Sequence, residues 1–173
     1  MVIVLRGLLL LAFIVTAGCA VQPTQGPVRS GIAWSDDPDV PPAAREVILQ
    51  ALALIGTPYR YGGTDPATGL DCSGLVRHVF LQVTGNRLPA DTQALSRTGS
   101  AVDPQALRPG DLVFFNTLRR SYSHVGIYLG GQRFVHAPSS GGSVEIVNMT
   151  QRYWRERYDG ARRLREFQVA TNP

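Results

Sequence analysis

Asp71-Cys72-Ser73-Gly74-Leu75-Val76 is where the chain changes character. Before it runs a loop rich in Gly, Thr, Asp and Pro (residues 62–70). After it, Leu75, Val76, Val79, Phe80 and Val83 recur at helical spacing. That spacing predicts a helix buried along one face, with Cys72 in its first turn. The unpaired N–H groups and positive dipole end of a helix stabilise an anion there, so Cys72 is a candidate thiolate nucleophile. Against this stands the commoner role of a lone cysteine in apolar surroundings, a small buried hydrophobe. The stretch alone leaves the two evenly balanced.

Working outward, Ala44, Val47, Ile48, Ala51, Leu52 and Ile55 share one face of a helix predicted over 43–55, with Pro42 at its start and Gly56 past its end. Thr57-Pro58-Tyr59-Arg60-Tyr61-Gly62-Gly63 is then a Gly/Pro-bounded loop leading into the cysteine helix. Downstream, Thr84-Gly85-Asn86 is a stop signal, and residues 89–104 are polar, with a short helix beginning at Asp91 as N-cap. From Arg108-Pro109-Gly110-Asp111 onward the period changes. Strands are expected at 112–115, 124–129, 133–137, 144–149 and 161–164, with a turn of helix in 153–157. Helices first and an antiparallel meander second define an α+β class with about five strands.

The chain has three histidines. His78 lies in the cysteine helix, six residues after Cys72 and well round its surface, and is read as bland. His124 and His136 both fall in the hairpin around Gly130-Gly131. A two-residue turn at those glycines pairs Val125 with His136 and puts the histidines on opposite faces. A three-residue loop, Leu129-Gly130-Gly131, pairs His124 with His136 and puts both imidazoles on one face. In that second register His124 serves as base for Cys72, and His136 orients it. A zinc site of one Cys and two His is the rival, but no close His or Cys pair supports it, and no metal is assigned.

Residues 1–18 form a signal segment: Arg6, then the apolar run Leu8 to Val15, then small residues before Cys19. Small residues directly followed by cysteine resemble a bacterial lipoprotein box, with Cys19 as the lipid attachment site; Thr16 stands where that box usually has Leu. Residues 19–42, with five prolines and no periodic pattern, read as a lipid-anchored tether. The globular domain is 43–167 and the tail 168–173. With two cysteines, a Cys19–Cys72 disulfide is the plain expectation; a lipid on Cys19 leaves Cys72 unpaired. Net charge is +4 and every basic residue is arginine, which excludes Schiff-base and phosphate-loop lysines. The densest arginine group, 152–165, is interrupted by Glu156 and Asp159, so it reads as a solvated face rather than a nucleic-acid surface.

DCSG at 71–74, SHVGIYLG at 123–130 and FVHA at 134–137 together resemble the NlpC family of bacterial cell-wall cysteine peptidases. TPYRYGG at 57–63 and RPGDLVFF at 108–115 fit the same pattern. The resemblance covers residues 43–165 and implies a papain-like fold. It implies Cys72 as nucleophile, His124 as base and His136 as third member, with Tyr59 at the oxyanion and Asp71 and Ser73 near the peptide substrate. The implied activity is hydrolysis of a murein stem-peptide bond next to diaminopimelate through a thioester, without a cofactor. The implied setting is a monomer held by its lipid on the periplasmic side of the outer membrane. A non-hydrolytic murein-binding lipoprotein and a thiol-dependent acyltransferase are the competing readings.

Overall fold

The computed structural model describes residues 40–167. The signal segment, Cys19, nearly all of the tether and the tail 168–173 lie outside the described residues.

Helix α1 spans Pro42–Ala53 and buries Ala44, Val47, Ile48 and Ala51. Proline belongs in its first turn, because that N–H has no intrahelical partner to lose. The helix stops two residues before the predicted end: Leu54 is the C-cap, and Ile55 is exposed in the following turn. Helix α2, Cys72–Thr84, buries Leu75, Val76, Val79 and Phe80 as its spacing requires. It ends at Gly85, whose φ of 71° puts it in the left-handed region that glycine enters without steric cost. The short helix α3, Thr92–Leu95, begins at Asp91, whose carboxylate accepts the Ala94 N–H at 2.8 Å.

Ahead of α2, strands β1 (Thr64–Asp65) and β2 (Gly69–Leu70) form a small hairpin. The main sheet comprises β3 (Ser100–Val102), β4 (Leu112–Phe115), β5 (His124–Gly130), β6 (Arg133–His136), β7 (Glu145–Asn148) and β8 (Tyr158–Arg163). Among the described residues it is six-stranded and antiparallel, in the order β3-β8-β4-β5-β6-β7. The additional strand is β3, three residues in a polar stretch with no alternation of its own; its pairing with β8 makes it a strand. A further helical turn, α4, runs Arg152–Arg155 ahead of β8.

Strand β4 is buried throughout, which explains its unbroken apolar run. Leu112 and Phe114 face the cluster under α1 and α2, with Val125, Ile127 and Val135. Val113 and Phe115 face the opposite cluster, with Tyr128, Phe134 and Trp154. Asp111 is buried at the start of β4, and both its oxygens bind the Arg163 guanidinium, at 2.8 and 2.7 Å. That fork ties the turn before β4 to the end of β8, and removing either partner would strand a buried charge.

The hairpin of β5 and β6 takes neither predicted register. Its turn residues are Gly131 and Gln132, both with positive φ (57° and 61°), and Gly130 opposes Arg133. Leu129 is the extra residue of a bulge, so Tyr128 opposes Phe134 and Ile127 opposes Val135. The Tyr128 hydroxyl accepts the Gln132 N–H at 3.2 Å and holds the turn there. Continued one residue, this register sets His136 opposite Gly126. The two histidines then share a face, diagonal rather than directly paired.

Helix α2 packs against β5 and α1. Its first turn reaches the loop so closely that a Cβ on Gly74 would fall inside the Gly63 carbonyl oxygen. Gly74→Ala is expected to destabilise the fold by about 2 kcal/mol or more, as overpacking does. Urea denaturation measures it, and an unchanged midpoint would contradict this close approach.

Candidate active site

The Asp71 carboxylate organises the start of α2. Oδ1 accepts the Gly74 N–H at 2.6 Å and the Ser73 hydroxyl at 2.9 Å, while Oδ2 accepts the Gly62 N–H at 2.9 Å. One side chain therefore caps the helix and pins the loop across from it. Ser73 is buried and spends its hydroxyl on Asp71. Both residues thus build the first turn of α2, and only the remaining lone pairs of Asp71 are open to a ligand.

Tyr59 is held by backbone bonds on both sides. Its N–H donates to Gly142 O at 2.8 Å, and the neighbouring Leu70 N–H donates to Pro58 O at 3.0 Å. These bonds weave residues 57–60 between the 142–144 segment and the strand that precedes Cys72. Burial raises the Tyr59 pKa, with Cys72 and Asp71 adding to the effect. The phenol keeps its proton and remains a donor.

Cys72 is a free, partly buried thiol at the first position of α2. Burial pushes its pKa up to about 11 and Asp71 adds to this, while N–H groups of Val125, Ser73 and Cys72 itself oppose the rise. The helix-terminus argument points the other way, but magnitude decides. A helix dipole contributes about 0.3–2 kcal/mol, whereas desolvating a charge costs several. Cys72 therefore rests as a thiol.

Val125, whose N–H is among the groups that lower the Cys72 pKa, is one residue along β5 from His124. His124 Nε2 lies 2.9 Å from His136 Nδ1, and His124 Nδ1 is buried without a hydrogen-bond partner. Burial lowers His124 to about 4, with Asp71 partly opposing; burial and then His124 lower His136 to about 3. Both rings are neutral at neutral pH. The two imidazoles each spend a nitrogen on the other and form a hydrogen-bonded relay. His78, in α2, is half-buried and takes no part in the relay.

Trp154 is the residue sequence reasoning missed. Its ring stacks on His124 (centroids 5.7 Å, 29°) and meets His136 edge-on at 4.9 Å. With Phe134, 5.2 Å from His136, it fixes both imidazole planes from behind. Nothing in a four-residue helical turn announced this, because the contact joins elements far apart in the chain. The β6–β7 register sets Glu145 opposite His136, a pairing that residue order alone does not show.

The chain is similar to several known proteins. The chain is 42% identical over 119 residues to a gamma-DL-glutamyl hydrolase of Bacillus subtilis, covering 68% of this chain and 29% of that protein. It is 36% identical over 125 residues to the murein DD-endopeptidase MepH of Escherichia coli, covering 70% and 46%. It therefore spans less than half the length of either curated relative. A crystal structure of an NlpC/P60 family protein from Bacillus cereus superposes with a TM-score of 0.65 at 36% identity, covering 72% of this chain and 41% of that one. The NlpC/P60 family model matches residues 56–163, well over half of the 173 residues, and the chain belongs to that family.

Proposed function

We propose that this chain is a cysteine peptidase of the bacterial cell wall that hydrolyses an amide bond of the murein stem peptide next to diaminopimelate. One observation carries the reading. Cys72 opens α2, which packs on β5, and β5 begins at His124, whose buried Nδ1 has no partner and whose Nε2 is 2.9 Å from His136 Nδ1. Family membership supports the same chemistry, and so do the names of the two relatives, one a glutamyl hydrolase and one a DD-endopeptidase. Those names carry two different bonds.

In this reading the Cys72 proton passes to His124 Nδ1 as sulfur attacks the amide carbonyl. Two buried charges of opposite sign then form together in contact, which offsets the desolvation that disfavours either alone. The Tyr59 hydroxyl and the Cys72 N–H receive the developing oxyanion. His124 returns its proton to the amine as the C–N bond breaks, leaving a thioester. Water then attacks, giving its proton to His124. The C–S bond breaks, and sulfur regains the proton. Asp71 and Ser73 hold the first turn of α2 against the peptide. The anchor at Cys19 and the tether would keep the domain on the periplasmic side of the outer membrane; Ala20 is not the Asp associated with inner-membrane retention.

Incubation with diaminopimelate-type murein, followed by mass spectrometry, tests the reading. The wild type is expected to release new fragments whose masses name the bond. Cys72→Ala and His124→Ala are expected to lose roughly a thousandfold or more in rate while still binding murein. Binding without cleavage by the wild type would favour a murein-binding lipoprotein. Transfer of an acyl group to an added amine would favour an acyltransferase.

The pH profile follows from burial. Only neutral His124 accepts the thiol proton, so activity is lost as pH falls through its pKa, which burial lowers from 6.5 to about 4. The acid limb of kcat/KM is expected below pH 6.5; a limb at or above that value would overturn this assignment. Stability has the same sign. The unfolded chain binds these protons first, so chemical denaturation should show stability falling as pH drops below about 6.5.

A further inference from the structure

His136 Nε2 is buried and has no hydrogen-bond partner, an arrangement that costs stability unless another group compensates. Across the β6–β7 ladder its register partner is Glu145. A carboxylate oxygen of Glu145 lies 3.6 Å from that nitrogen; the Glu145 side chain is 53% exposed and that of His136 1%. The Cys72–His124–His136 reading does not use this acid.

The relay has two tautomeric forms, and only one works. For His124 Nδ1 to accept a proton, His124 must carry its hydrogen on Nε2 and donate it to His136 Nδ1. His136 then carries its own hydrogen on Nε2, facing Glu145. In the other form His136 donates from Nδ1 and His124 is protonated on Nδ1, where it cannot act as base. That form also turns a lone pair of His136 toward a carboxylate, and the repulsion disfavours it. A negative oxygen at 3.6 Å therefore selects the working form. It also lies at the far end of the line along which positive charge spreads when His124 is protonated.

We propose that Glu145 is a positioning residue, whose carboxylate keeps the His136 hydrogen on Nε2 and so holds His124 Nδ1 free for the Cys72 proton. The proposal rests on the reading of His124 as the base. Its role is electrostatic and passes through His136, without contact with substrate.

The test is the nitrogen-15 NMR spectrum of histidine-labelled full chain at neutral pH, for wild type, Glu145→Gln and Glu145→Leu, beside murein-cleavage kinetics. The wild type is expected to show His124 protonated at Nε2. Glu145→Leu should give comparable populations of both tautomers and lower kcat about tenfold with KM unchanged. Glu145→Gln, whose amide oxygen still accepts, should recover most of the tautomer preference and part of kcat. A His124 tautomer unaltered in both variants would overturn the proposal, as would a kcat within twofold of wild type in Glu145→Leu. The spectra need no substrate, so absence of cleavage by all three proteins would count against the peptidase reading and leave the tautomer result standing.

Discussion

Three hydrogen bonds to one carboxylate, that of Asp71, hold the first turn of α2 and the loop at Gly62 in a single arrangement. The rest of the site depends on it. The cap fixes where the helix begins, and so where the Cys72 sulfur points. The Gly62 bond, with Asp71 N–H to Gly63 O at 3.0 Å, fixes the loop that carries Tyr59. Gly74 permits the approach, because no side chain fits between α2 and the Gly63 carbonyl. The loop of Tyr59 and the helix of Cys72 are thus one unit, built from a helix N-cap.

Burial then sets the electrostatics. The helix terminus and three N–H groups favour an anion at Cys72, but desolvation outweighs them, and the histidines are pushed the opposite way. The resting pair is neutral on both sides. In the proposed mechanism charge appears only as the proton moves, when the two ions compensate each other. Trp154 packs on both imidazoles and Phe134 on that of His136, so the rings that bury the two histidines also fix their planes.

Much of the fold was legible locally. Proline at the start of α1, Asp71 and Asp91 as caps, and Gly85 as the stop of α2 are choices each residue makes from its own stereochemistry. The continuous run Leu112 to Phe115 marked a strand covered on both faces. What was not legible is pairing. Strand β3 has no pattern apart from its partner, and β1 and β2 are two residues each.

The histidines mark the division most clearly. The sequence by itself determined that Cys72 opens a helix, that His124 and His136 flank one glycine turn, and that the motif belongs to a peptidase-like pattern. All of this rests on short-range stereochemistry and residue order. Only the tertiary structure decided that the imidazoles meet on one face, because the bulge at Leu129 and the positive φ of Gln132 shift the turn by one residue. A one-residue slip in a strand exchanges its faces, and the propensities of the turn residues do not exclude it. The packing of Phe134 and Trp154 against the rings rewards one register over the others.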